Sequence, residues 1–292
     1  MIKRKSAGDV LFDALNYSLL TIGMLLILYP LYFVLIASVS DPNRIYSGDV
    51  WLYPQGITFD GYQRIFNDSM IWIGYANSLL YAVVGTAISV SLTLLAAYPL
   101  SRKDFVGRNM FMWFFMFTMF FNGGLIPTYL VIRNYNLLDT IWAMILPGLV
   151  SSWFLIIMRT FFQGIPKEIE ESGKMDGLTE LGNLLRIVLP LSVPVLLTIA
   201  LFYAVAIWGN FYNALIYIRD ANLYPIQVVI RNIVLIGQVS DTTVSSAMGD
   251  KTVVLESLKY AVILVGTLPV LLFYPFIQKH FAQGVMVGSV KG

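Results

Sequence analysis

Residues 69–101 read SMIWIGYANSLLYAVVGTAISVSLTLLAAYPLS, 33 positions without an Asp, Glu, Lys or Arg. About 20 apolar residues suffice for a helix to cross the hydrocarbon of a bilayer, and an unpaired charge at its centre costs a few kcal/mol or more. The spacing therefore predicts a membrane-crossing helix. Working outward, five further charge-free gaps are at least 19 residues long: Ala14–Ser40, Asn109–Ile132, Thr140–Met158, Ile187–Ile218 and Tyr260–Gln278. The interval between Lys279 and Lys291 is too short to cross. Backbone groups in lipid must satisfy one another, so each crossing is helical, and nothing alternates as a β-barrel strand does. The expectation is an all-α integral membrane protein of six transmembrane helices, one transmembrane domain over residues 1–292.

Composition agrees. Of 292 residues, 58% are hydrophobic and 12% charged, about half the charged share of a soluble domain. The absence of Cys excludes disulfides, Fe–S clusters and thiol nucleophiles, and a single His, His280, excludes His-rich metal sites and Ser-His-Asp triads. A net charge of +2 leaves no footprint for nucleic acid. The basic start, Lys3-Arg4-Lys5, precedes an apolar run too long for a signal peptide and reads as an uncleaved first span. Six crossings put both termini on one side. With the N-terminus inside, 12 Lys and Arg fall on inner segments and 7 on outer ones, which predicts cytoplasmic termini.

Proline and glycine recur within the spans: Pro30, Pro99, Pro127, Pro147, Pro190, Pro194, Pro269 and Pro275, with Asn122-Gly123-Gly124. They fit ordinary bundle packing or broken helices lining a pathway. The loop between spans four and five stands apart. From Pro166 it runs PKEIEESGKMDG to Gly177, then LTELGNLLRIVLP to Pro190. Pro166 suits a helix start, Glu168, Glu170 and Glu171 sit where the helix dipole favours negative charge, and Asp176-Gly177 is a stop signal. Thr179 can cap a second helix with Leu181, Leu184, Leu185 and Val188 on one face. Two short helices at a bend, acidic outside and apolar beneath, make a knob for another protein to grip.

These residues resemble a known family. Permeases of bacterial ABC importers carry a cytoplasmic "EAA" loop of form E-A-A-x3-G-x9-I-x-L-P, and Glu171, Gly177, Ile187, Leu189 and Pro190 stand at those spacings. Ser172 and Gly173 replace the alanines; Gly173 is expected to loosen the helix. Asn122-Gly-Gly-Leu-Ile-Pro-Thr-Tyr, Met158-Arg-Thr-Phe-Phe and the tail Gly284–Gly292 look like the carbohydrate-uptake branch, close to second permeases for alginate or rhamnogalacturonan fragments.

The resemblance implies the maltose-type ABC importer permease fold, in a bacterial cytoplasmic membrane. It implies as partners a second homologous permease, two ABC ATPase subunits, an extracytoplasmic solute-binding protein and an oligosaccharide substrate. No phosphate loop of form G-x4-G-K-[ST] is present, so this chain does not cradle nucleotide itself; the resemblance implies that ATP and Mg are held by the ATPases, and no cofactor, metal or catalytic residue is expected in this chain. In the 166–190 coupling loop, Glu170 and Glu171 would anchor to the ATPase, Asp176 and Gly177 would set the bend, and Met175, Leu178 and Leu181 would plug its groove. Trp208, Asn210, Tyr212 and Asn213, with Asn122, are candidate sugar contacts by stacking and hydrogen bonding. Aromatic residues also gather at bilayer interfaces without touching solute. A stand-alone carrier or channel also fits six spans, but no span interior holds a titrating group, and the acidic loop is then unexplained. A membrane enzyme lacks clustered intramembrane carboxylates. A polyuronate substrate would need cations, and none lies inside the gaps.

Overall fold

A computed structural model describes residues 7–242 and 258–272. Helix α1 (Ala7–Ser38) contains Pro30 and leads into short α2 (Pro42–Tyr46), whose first turn is capped by Asp41 accepting from the Asn43 N–H at 2.8 Å. After α3 (Asp60–Asn67), α4 (Ser69–Ser101) runs unbroken over the full stretch read above. At 1.5 Å per residue it is about 50 Å long, more than the ~30 Å hydrocarbon core.

Three of the remaining charge-free gaps are not single rods. The gap at Asn109–Ile132 contains α5 (Arg108–Phe120) and α6 (Leu125–Asn134), which meet at 112°. The break falls on Asn122-Gly123-Gly124, where Gly124 takes φ +84° and Asn122 Oδ1 accepts from its N–H at 2.9 Å. Thr140–Met158 holds the five-residue α7 (Ile141–Ile145), a turn through Pro147 and Gly148, then α8 (Ser152–Gln163). After α9 (Lys167–Met175) and α10 (Glu180–Asn183), a π-helical turn at Leu184–Val188 and α11 (Leu189–Leu191) bend by 82° at Ser192 into α12 (Val193–Trp208). Pro190 and Pro194 stand in first turns, where their missing N–H costs nothing; the chain uses them to start helices. Helices α13 (Phe211–Tyr217), α14 (Ile226–Thr242) and α15 (Leu258–Leu272) follow.

Among the described residues, two helices, α1 and α4, are long and apolar enough to cross a membrane alone, and the two bent pairs raise this to four. Among the described residues, the gaps at Asn109–Ile132 and Ile187–Ile218 are each filled by a bent helix pair and not by one straight helix. Freedom from charge is necessary for crossing, but Gly123-Gly124 and Ser192-Val193-Pro194 interrupt the hydrogen-bond ladder inside gaps that charge counting treats as continuous.

The described residues form two compact units: 7–68 with 230–242 and 258–268, and 69–229 with 269–272. In the first, Ser40 donates to Ile36 O at 2.6 Å and accepts from the Gln55 N–H at 3.2 Å, while Tyr62 bonds Ser38 at 2.7 Å. These tie the 41–59 loop to the end of α1. In the second, α4 is the central post, packed mainly on α12 and α8. Its buried face carries Gly74, Ser78, Ala82, Gly85, Ser89, Thr93, Ala97 and Ser101, small residues every three or four positions. In lipid no hydrophobic force drives helices together, so association depends on close backbone approach and hydrogen bonds. A Cβ on Gly74 would lie 3.1 Å from Ile226 Cα, and one on Gly85 would lie 2.8 Å from Ile207 Cδ1. In the C-terminal half of α4, Thr93 shares a 2.9 Å hydrogen bond with Tyr203, whose oxygen also accepts from Ser151 N–H at 2.8 Å.

Candidate functional site

The loop from Pro166 to Pro190 folds as two short helices at a bend. Helix α9 opens at Pro166 with Glu168 and Glu170 in its first turn and Lys174 in its last, each on the side the helix dipole favours. It ends in a Schellman arrangement. Leu178 N–H reaches Gly173 O and Gly177 N–H reaches Lys174 O, both at 3.0 Å, with Gly177 at φ +82°. Thr179 then caps α10 by accepting from Gly182 N–H at 3.2 Å.

Gly173 does not loosen this helix; it lets it pack. A Cβ there would lie 2.5 Å from Ile187 Cδ1 and 2.7 Å from Asn183 Oδ1. Asn183 is fully buried and donates from Nδ2 to Glu170 O at 3.1 Å, joining the two helices. Leu184 and Val188 are buried in the cluster with Leu94, Tyr98, Met158 and Phe162. Leu181 and Leu185 stay exposed, so the predicted four-residue stripe meets the core along only one edge.

Charge places the loop against the end of α4. Glu170 is 7% exposed and forms an ion pair with Arg102, just past the last residue of α4. The Arg102 guanidinium lies 4.2 Å over the Tyr98 ring, a cation–π contact. Tyr98 in turn donates to Glu180 Oε2 at 3.2 Å, and Glu180 pairs with Lys174 at 2.5 Å. The hydrogen bond from Lys174 is the largest influence holding the Glu180 carboxyl below its usual range, and the same bond raises the Lys174 ammonium. Arg102, Tyr98, Lys174 and Glu180 thus link both loop helices to α4. In the sequence, Arg102 stands out only as a charge that sets topology. Its signal was Arg102-Lys103 directly after a 33-residue charge-free run, facing an acidic loop of otherwise unassigned partners.

The expected coupling residues divide. Glu171, Met175, Asp176, Gly177 and Leu181 are exposed, Met175 at 89% and Leu181 at 59%; Leu178 is half-buried beneath them; Glu170 is inside. The candidate sugar contacts also separate. Trp208 is buried, its ring 6.1 Å from Tyr75, and Asn210 is the cap of α13, accepting from Asn213 N–H at 3.2 Å. Tyr212 is 57% exposed, Asn213 is half-buried, and Asn122 is exposed at the α5–α6 break.

Residues 89–287 match the model of a family described as binding-protein-dependent transport system inner membrane component. The chain is 43% identical over 282 residues, 97% of its own length and 99% of the relative's, to the polygalacturonan/rhamnogalacturonan transport system permease protein YtcP of Bacillus subtilis (strain 168). It is 41% identical over 287 residues, 98% of its length and 96% of the relative's, to protein LplC of the same organism. A crystal structure of a bacterial ABC transporter involved in the import of the acidic polysaccharide alginate superposes with a TM-score of 0.88. That match is 31% identical and covers 95% of this chain and 99% of that one.

Proposed function

Because this chain belongs to the family of binding-protein-dependent transport system inner membrane components, we propose that its 166–190 hairpin is the handle by which an ATPase moves it. The chain is the non-catalytic, multi-pass permease component of an ABC importer for oligosaccharides in the cytoplasmic membrane. An ATPase and a solute-binding protein are its working partners. Our reading adds a second, homologous permease beside it, two ATPase subunits with ATP and Mg held by them alone, and residues 1–292 acting as one transmembrane domain.

The observation that carries the mechanism is the division of the loop into an anchored inside and an apolar outside. Glu170 and Glu180 bind the loop to Arg102 and Tyr98 at the end of α4, so a push on α9 is delivered to the central post. Met175 and Leu181 are left uncovered, with Glu171 and Asp176 around them, and these fit a groove with apolar walls and a basic rim. Movement of that groove would swing the loop, and the 82° bend at Ser192 is where the swing would enter α12.

Six crossings with cytoplasmic termini are supported by which loops meet. Asp139 Oδ1 accepts from the Asp220 N–H at 3.1 Å, and Asn77 donates to Asn222 O at 2.7 Å. These segments share one side if each bent pair and each unbroken helix crosses once. Arg102 and Glu170 then share the other side. The chain has no cysteine, so Lys174→Cys supplies its one thiol. Labelling of this thiol by an impermeant reagent only after the membrane is opened from the cytoplasmic side supports the topology; labelling from outside refutes it. Glu171→Ala and Leu181→Asp should leave insertion intact while reducing ATPase co-purification and uptake, and undiminished co-purification with both refutes the handle.

For substrate we propose acidic, pectin-type oligosaccharides, on the strength of the likeness to the polygalacturonan/rhamnogalacturonan permease and the alginate importer. Tyr212, Asn213, Trp208 and Asn210 at the α12–α13 junction, with Asn122, are the proposed pathway contacts. ATP hydrolysis by the reconstituted importer should rise with oligogalacturonides and not with neutral oligosaccharides of equal length; the opposite preference overturns the substrate.

A further inference from the structure

One polar cluster lies outside the handle and the pathway. Arg159, on α8, donates from Nε to Leu100 O at 2.8 Å, and Arg108, the first residue of α5, donates to Arg102 O at 3.4 Å. Both guanidinium groups are thereby held at the C-terminal end of α4, close enough for Arg108 to repel Arg159. Backbone carbonyls at a helix end attract cations with partial charge only. Arg102 also has Glu170, whereas neither Arg108 nor Arg159 has a carboxylate partner among the described residues. Arg108 additionally sits at the positive end of α5, which no side chain caps.

Beside these cations opens a cleft of about 320 Å³, lined by Asn109, Met112, Trp113, Met116, Ile156 and Arg159. It is polar at the α4 end and apolar along its length. Methionine side chains conform to flexible chains, and a sugar would find few hydrogen-bonding groups there. Next to the cleft, Met110, Trp113, Phe114, Phe117 and Phe120 form an exposed apolar stripe along α5, a surface suited to hydrocarbon.

We propose that this cleft binds an anionic phospholipid, its phosphate between Arg159 and Arg108 and an acyl chain along Met112, Met116 and Ile156. Arg159 lines this apolar slot and Arg108 adjoins it through Asn109, neither with a carboxylate partner among the described residues, which matches an amphiphile with one negative end. The inference rests on residence in the membrane and on neither the ATPase handle nor the substrate assignment. Basic residues near an anionic membrane surface each strengthen binding by about fivefold, so two give roughly 25-fold.

The test uses the purified, delipidated importer complex in detergent, titrated with phosphatidylglycerol or with phosphatidylcholine of the same acyl chains, and read by native mass spectrometry. Tighter retention of phosphatidylglycerol by roughly 25-fold, lost in Arg108→Gln/Arg159→Gln, is the expected result. Ile156→Trp fills the cleft with both arginines intact and should release the lipid as well. Equal retention of the two lipids overturns the proposal, as does a preference that survives both variants. Displacement of phosphatidylglycerol by equimolar inorganic phosphate also overturns it, because the site would then read the anion alone.

Discussion

The two ends of α4 are built on different physics. At its N-terminal end, neutral side chains hold loop backbone. Ser78 accepts the buried Ile226 N–H at 2.8 Å, Tyr81 donates to Leu223 O at 2.8 Å, and Asn77 spans Asn222 O and Tyr224 O at 2.7 and 3.1 Å. At the C-terminal end, the contacts are ionic and incomplete. Arg102 pairs with Glu170 while Arg102 Nε and Nη2 and Glu170 Oε1 are buried without a hydrogen-bond partner, and Met175 stands almost fully exposed nearby. Neutral hydrogen bonds with all partners present make a joint that stays closed. A buried charge pair under an uncovered apolar knob makes a joint whose load comes from another molecule.

The sharpest way to break this contrast is Arg102→Met. It leaves Glu170 buried without its counter-ion, a loss of about 3–5 kcal/mol when one member of a buried pair is removed. ATPase association and uptake should fall together, and the double variant Arg102→Met/Glu170→Met should recover much of the thermal stability. Wild-type association by the single variant would remove the ion pair from the coupling path. At the opposite end, Ser78→Ala strands the Ile226 N–H, at a cost of about 1–3 kcal/mol. Melting temperature should drop with ATPase binding unchanged; a matching fall in ATPase affinity would mean the two ends are not separable.

Within the loop, two glycines separate packing from backbone. Gly173→Ala forces Ile187 and Asn183 aside and should destabilise by about 1–3 kcal/mol through overpacking. Gly177→Ala meets no atom within 4 Å, so its cost, about 1–2 kcal/mol, comes only from the left-handed backbone. Hydrogen exchange across residues 167–190 should show the Gly173 variant loosening both helices and the Gly177 variant loosening only the turn.

The smallest effect is on pH. Glu180 is held below its usual value near 4.5, so its share of stability is present above that value and lost as pH falls through the depressed one. Lys174 is raised above its usual 10.5, so its share is present below 10.5 and lost as pH rises beyond. The bridge should therefore be flat across neutral pH and fail at both extremes. Exposed at 48% and 60%, the pair is screened to at most about 1 kcal/mol, and Lys174→Met should shift the acid limb of a melting profile only slightly.

Much of the loop was readable from residue order. Pro166, the Asp176-Gly177 stop and the Thr179 cap are local events, and each forms as its chemistry requires. The small-residue stripe on α4 was readable too, at three- and four-residue spacing, but reading for charge alone passes over it. The inward turn of Glu170 was not readable, because Glu170 and Glu171 are equivalent until Arg102 arrives from 68 residues away.

Charge scarcity decided the solvent. Thirty-three uncharged residues in a row have no stable place but lipid or a protein interior, and that follows from desolvation cost without reference to any neighbour. Where helices break within such runs, which glutamate becomes ionic ballast and which stays outside, and where two arginines stand without a carboxylate among the described residues depended on the approach of distant segments. Those outcomes are set by contact across the folded chain, where distance and dielectric act and sequence separation does not.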